Sequence, residues 1–128
     1  MAAKRPLSPH LQIYRLPITA LLSISHRLSG VILVAGMLAL VICLMAGAAG
    51  PEPYAQVHAF LNAWPGQLFI WGWIYALFFH WCHGVRHLVW DIGNGFSREY
   101  QDIAAYLEIT VSLFFTLTAF LANHYLWS

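Results

Sequence analysis

The chain has 128 residues, of which 60% are hydrophobic and 9% charged, with a formal net charge of +1 and a mean hydropathy of +0.65. A water-soluble domain carries about 25% charged residues, so there is too little polar surface here to clothe a soluble globule. The bilayer must be the main solvent, and no nucleic-acid partner is expected.

The chain opens on a segment, residues 1–27, with prolines near its start and no compact apolar stretch ending in small residues. No cleavable signal is therefore expected, and the segment is too short and too poor in arginine for a transit peptide. It reads as a cytoplasmic N-terminal segment. A bilayer-crossing helix needs about 20 apolar residues. Residues 28–50 contain no charge and supply a first span. The sequences "GAAGPEP" and "AWPGQ" bracket the connection 51–67 with the glycine and proline of helix ends. Residues 68–90 supply a second span, interrupted only by Arg86, and "DIGNGFSREYQD" connects it onward. Residues 104–127 supply a third, with Glu108 about a turn inside its start. The prediction is an all-α integral membrane protein: one anchor domain over 1–128, with three transmembrane helices and no soluble domain. Cys43 and Cys82 sit in apolar runs and read as small buried hydrophobes.

All six basic residues fall on one side of this layout. Lys4, Arg5, Arg15 and Arg27 precede span one, and Arg86 and Arg98 flank the second connection, while 51–67 holds no Lys or Arg. The positive-inside rule puts the N-terminus and second connection in the cytoplasm, or the equivalent mitochondrial matrix. Trp64, Trp71, Tyr125 and Trp127 suit an outer aromatic belt, and Trp90 and Tyr100 an inner one.

Span two carries the most informative stretch, "FFHWCHGVRHLVWD", residues 78–91. At 100° per residue, His80, His83, Gly84, His87 and Asp91 fall within about 100° of one another. His80 lies about 18 Å along the helix from Leu68, and His87 about 10 Å further toward the cytoplasm. Ionisable groups at such depth are costly and face a bundle interior or a functional site. Each also has a plain reading. His87 and Asp91, at i and i+4, could form a helix-end pair, and His83 could hydrogen-bond a neighbouring helix. His80 could do the same, or it could ligate a metal, since imidazole serves as an axial ligand to haem in an apolar slot. Gly84 leaves a notch where a flat macrocycle could approach the backbone, and cationic groups nearer the cytoplasm would meet its propionates.

A second polar cluster, "SISHRLSG" at residues 23–30, precedes span one. Ser23, His26 and Arg27 share a face if helical. Arg27 alone could be a snorkelling interface anchor, but two clusters at one depth point to a shared site.

These stretches resemble the two signatures of the succinate dehydrogenase cytochrome b556 subunit family, the larger membrane anchors of respiratory complex II. The first runs from "RPLSPHL" through "SISHRLS", Arg5 to Ser29, and the second is "HWCHGVRHLVWD", His80 to Asp91. The resemblance implies a four-subunit complex in which a flavoprotein oxidises succinate and an iron–sulfur subunit relays electrons. Two small anchors then hold haem b and reduce ubiquinone. It implies His80 as a haem-iron ligand, and Ser23 and Arg27 at the quinone. Arg27, His26 and His87 would meet the propionates, beside Gly84. His83 and Glu108 are outside what it assigns. A bis-histidine haem needs a second imidazole at the depth of His80. Span one shows none in its interior and His124 sits near the outer face, so the second small anchor should supply it, as in the family, and complete the bundle. The resemblance favours a bacterial inner membrane over a mitochondrial one. Two other readings stay open. One is a cytochrome b anchor of another dehydrogenase (fumarate reductase or a hydrogenase). The other is a cofactor-free scaffold whose histidines knit helices together.

Overall fold

The computed structural model describes residues 15–127 of the chain. Lys4, Arg5 and the "RPLSPHL" half of the first signature lie outside the described residues, and so does the side chain of Trp127. Four helices follow one another: α1 (Ile18–Ala49), α2 (Pro51–Asn62), α3 (Trp64–Asp91) and α4 (Arg98–Trp127). Three of them, α1, α3 and α4, are long and apolar enough to cross a membrane. At 32, 28 and 30 residues, each exceeds the roughly 20 residues that a bilayer requires, so each projects from it or tilts.

Local chemistry explains the boundaries. Pro17 caps α1 in an extended conformation and cannot itself continue a helix upstream. Gly50 ends α1 with φ at 127°, and Pro51 opens α2 at a position where its missing N–H is no loss. Gly66 allows α3 to fold back tightly, because a Cβ there would run into the backbone of Phe60 and Leu61. The Ser97 hydroxyl accepts the backbone N–H of Tyr100 at 3.3 Å, a cap for the first turn of α4.

Two of these elements add to the sequence reading. Helix α1 begins at Ile18, ahead of the uncharged run from residue 28, so Ser23, His26 and Arg27 are helical and continuous with it. The connection 51–67 contains the helix α2, which has no buried residue and folds back beside α1 and α3, with Val57 and Phe60 sharing a cleft with Ala39, Ile42 and Phe69.

Helix α3 is the centre of the bundle, packed against both α1 and α4. The pairings Gly36–Trp73, Ser29–His80 and His26–His83 make α1 and α3 antiparallel. Trp71–Phe120, Phe78–Phe115 and Arg86–Glu108 do the same for α3 and α4. Trp71 packs edge-on against Phe120 and donates to Gln67. Gly36 has a steric reason, since a Cβ would collide with the Trp73 indole; small residues at such crossings bring helices close in lipid. Buried apolar side chains are few: Leu22, Phe79 and Ala105 form the core, with Ile18, Tyr75 and Ile109 against it. Most of α1 beyond Gly30 faces outward, with Val31, Leu38 and Met45 more than half exposed. That surface is suited to lipid or to another apolar helix.

Candidate functional site

The antiparallel register of α1 and α3 brings four imidazoles together. His26 of α1 stacks on His80 with ring centroids 4.0 Å apart and 20° between planes, and on His83 at 4.3 Å and 25°. His87 stands edge-on to His83 at 5.0 Å and lies 5.8 Å from His26. Potential ligand atoms of His26, His83 and His87 all lie within 4.8 Å of one another. Two of the imidazole nitrogens, His26 Nε2 and His83 Nε2, are buried without a hydrogen-bond partner. A buried polar atom left unpaired costs about 1–3 kcal/mol. Two adjacent nitrogens in that state are open to a partner that the described residues do not supply.

His80 is oriented by Ser29. The Ser29 hydroxyl has one proton and donates it to the His26 carbonyl at 2.7 Å. It also lies 3.0 Å from His80 Nδ1, so that nitrogen is engaged by Ser29 while Nε2 has no hydrogen-bond partner among the described residues. Gly30 gives the ring its room, since a Cβ would sit 3.4 Å from His80 Cε1. This is the arrangement by which proteins prepare a metal-ligating histidine, one nitrogen held by an outer hydrogen bond and the other free. Ser29 closes the first signature, but no role was read for it there. The legible signal was its spacing of three from His26 on one helix face. Ser29 also lines an apolar cleft of about 380 Å³ between α1 and α3, with Ser25, Ile32, Gly72, Tyr75 and Ala76.

His83 and Glu108, without an assigned role in the sequence, form a buried cluster with Arg86. Glu108 Oε1 lies 2.7 Å from His83 Nδ1, and Oε2 accepts from Arg86 Nη1 at 3.0 Å. Relative exposures of 0% for His83, 5% for Arg86 and 4% for Glu108 put all three out of solvent. The Arg86 guanidinium also covers the Trp90 ring at 4.8 Å from its centroid, a cation–π contact. The charge of Arg86, a flank of the second connection in sequence, is thus held inside the bundle. Glu108 lies about 15 Å inside α4, not a turn from its start, because α4 begins at Arg98.

The remaining expected residues are more open. Ser23 is half-buried and Arg27 exposed, one turn apart on α1, and neither hydrogen-bonds another described residue. Their polar groups remain available. A Cβ at Gly84 would meet nothing within 4 Å, so its surface is open. His87 and Asp91 are both exposed and form no pair with each other. His87 instead packs edge-on against Trp90 at 4.8 Å. Span one was expected to hold no imidazole near the depth of His80, yet His26 lies against it. Their faces are stacked, however, whereas two axial ligands must point nitrogens at one iron from opposite sides.

Comparison with known proteins converges on one family. Residues 1–119 match the family described as the succinate dehydrogenase/fumarate reductase transmembrane subunit. The chain is 41% identical over 95 residues to a Paracoccus denitrificans protein named succinate dehydrogenase cytochrome b556 subunit, covering 74% of this chain and 73% of that one. A Rickettsia felis protein of the same name is 39% identical over 114 residues, 89% of each chain. One from Coxiella burnetii is 34% identical over 129 residues, covering 99% of this chain and all of its own.

Proposed function

Because the chain belongs to the succinate dehydrogenase/fumarate reductase transmembrane-subunit family, we propose that it is the haem b anchor of a succinate:ubiquinone oxidoreductase. In this reading it passes electrons from an iron–sulfur subunit to ubiquinone and carries no succinate chemistry itself. The observation that carries the haem reading is the Ser29–His80 contact, which holds the ring by Nδ1 and leaves Nε2 without a partner beside two other unpartnered imidazole nitrogens. The donor set fits haem: one prepared imidazole for iron, and further N–H donors for carboxylates.

His80 would ligate the iron, with Ser29 holding the ring. His26, His87 and Arg27 would bind the propionates, with Gly84 giving the pocket its room. Bound haem b supplies a one-electron redox centre in the apolar interior. A further iron ligand would come from a second small anchor packed on this chain, since stacking turns His26 broadside to His80. Ser23 would donate its hydroxyl proton to a quinone oxygen. Arg27 would stabilise negative charge developing on the quinone as it is reduced, the role of a preorganised cation. The flavoprotein and iron–sulfur subunits would dock on the side of the basic residues. With bacterial proteins among its relatives, that side would be the cytoplasmic face of a bacterial inner membrane, where the N-terminus also lies.

A cofactor-free scaffold is less consistent with the site, because helix-knitting histidines would pair their nitrogens. A reduced-minus-oxidised absorption spectrum of the purified complex tests this: a low-spin b-type signal is expected, and its absence would leave the scaffold. The family description covers fumarate reductases too, and the soluble subunits that co-purify decide between the two electron sources.

A further inference from the structure

We infer that His83 is a positioning residue: its buried ring, held by Glu108, backs His26 against His80 and so sets the plane of the imidazole offered to haem iron. This deepens the haem reading above and rests on it, and it gives a role to two residues that the family resemblance leaves unassigned.

The rings of His80, His26 and His83 form one row. His26 lies 4.0 Å from His80 at 20° and 4.3 Å from His83 at 25°. Two rings that close on one face of an imidazole would touch each other. Among the described rings His80 and His83 are not paired with each other, so His26 is inserted between them. Each end of the row is tied to a different helix. Ser29 Oγ of α1 lies 3.0 Å from His80 Nδ1, and Glu108 Oε1 of α4 lies 2.7 Å from His83 Nδ1. Ser29, His83 and Glu108 are all buried, and Arg86 holds the second carboxylate oxygen at 3.0 Å.

An iron ligand gains from such a backing. Rotation of a histidine ring about its last torsion is soft, and the single contact with Ser29 holds one edge of His80 but not its tilt. A flat neighbour at 4.0 Å restrains the tilt, and that neighbour keeps its place because His83 covers its other face. Groups outside the first ligand sphere orient a metal-bound imidazole in this way and tune the metal through it. None of these contacts depends on which imidazole nitrogens carry protons. The plainer alternative is that His83 only satisfies a buried carboxylate.

The test compares His83→Gln with His83→Phe in the assembled, haem-loaded complex. Both variants are uncharged at this position. Glutamine can still donate to Glu108 but has no ring, whereas phenylalanine keeps a ring against His26 and loses the bond to Glu108. The readout is the highest-g signal of the ferric haem in electron paramagnetic resonance, which moves with the orientation of the axial imidazole planes. The signal should be displaced by more than its wild-type linewidth in His83→Gln and stay within that linewidth in His83→Phe. The opposite order overturns the assignment, because the bond to Glu108 and not the ring would then matter. An equal signal in both variants overturns it too, as does loss of the low-spin signal, which would make His83 an iron ligand. If His83→Phe does not assemble, His26→Phe and His26→Leu carry the same comparison. Both lose the same nitrogens and only the first keeps a ring in the row, so the leucine signal should lie further from wild type; equal signals overturn the assignment. Failure of the haem reading itself would show separately, as wild-type complex without a b-type spectrum.

Discussion

Replacing Glu108 by glutamine tests whether the buried charges are coupled as their geometry indicates. The carboxylate accepts two charge-assisted hydrogen bonds, from His83 at 2.7 Å and from Arg86 at 3.0 Å, with side chains no more than 5% exposed. Such bonds contribute about 1.5–3 kcal/mol each, and breaking a buried ion pair by removing one partner costs about 3–5 kcal/mol. Glutamine can still accept from His83 but leaves the Arg86 cation unmatched. The expected loss for Glu108→Gln is therefore about 3 kcal/mol, over a hundredfold in the folding equilibrium. The double variant Arg86→Met/Glu108→Gln removes the stranded charge and should recover to within about 1 kcal/mol of wild type, as apolar replacements of buried pairs do. The measurement is reversible unfolding by SDS in mixed micelles, followed by circular dichroism, for wild type and both variants. Because the pair is buried, the loss should change little with salt. A Glu108→Gln protein within about 0.5 kcal/mol of wild type would show that Arg86 reaches water, and the cluster would lose its meaning.

Three other outcomes are expected. Ser29→Ala should leave Nδ1 of His80 unpaired, lower haem retention about tenfold during detergent washing and broaden the low-spin spectrum; second-sphere losses typically cost 10–100-fold in metal affinity, and full retention would separate Ser29 from the site. Arg27→Lys should lower succinate-to-quinone turnover at least about tenfold, roughly 1.4 kcal/mol of barrier, because a point charge lacks the planar fork of arginine. Turnover with an acceptor upstream of quinone should be unaffected, and full quinone activity would reduce Arg27 to an interface anchor. A reporter active only outside the cytoplasm should work when fused after Ser128 and fail between Asp91 and Gln101, and the opposite pattern would invert the topology.

The three spans and the stripe of His80, His83 and His87 were legible because hydropathy and helical period are local properties of sequence. The start of α1 was not. Ser23, His26 and Arg27 precede the uncharged run, and only the packing of His26 on His80 and His83 shows that α1 extends back through them. Helix α2 was read as a connection because a 12-residue helix with no buried face leaves no strong periodicity. The roles of Arg86 and Glu108 were missed for a different reason. Each was judged alone, as a cation flanking the second connection and an acid near the start of span three, although the cost of a lone charge in lipid already argued that an acid and a base on successive apolar helices should meet. The contact of Ser29 with His80 Nδ1 was beyond sequence altogether, since it depends on how α1 packs against α3.

The central claim is that His80 Nε2 is the nitrogen this chain offers to haem iron, and the reduced-minus-oxidised spectrum of an assembled His80→Leu complex tests it most directly. The low-spin b-type signal should be lost or replaced by a high-spin one in His80→Leu, and retained in His83→Leu. An unchanged low-spin spectrum in His80→Leu would contradict the account.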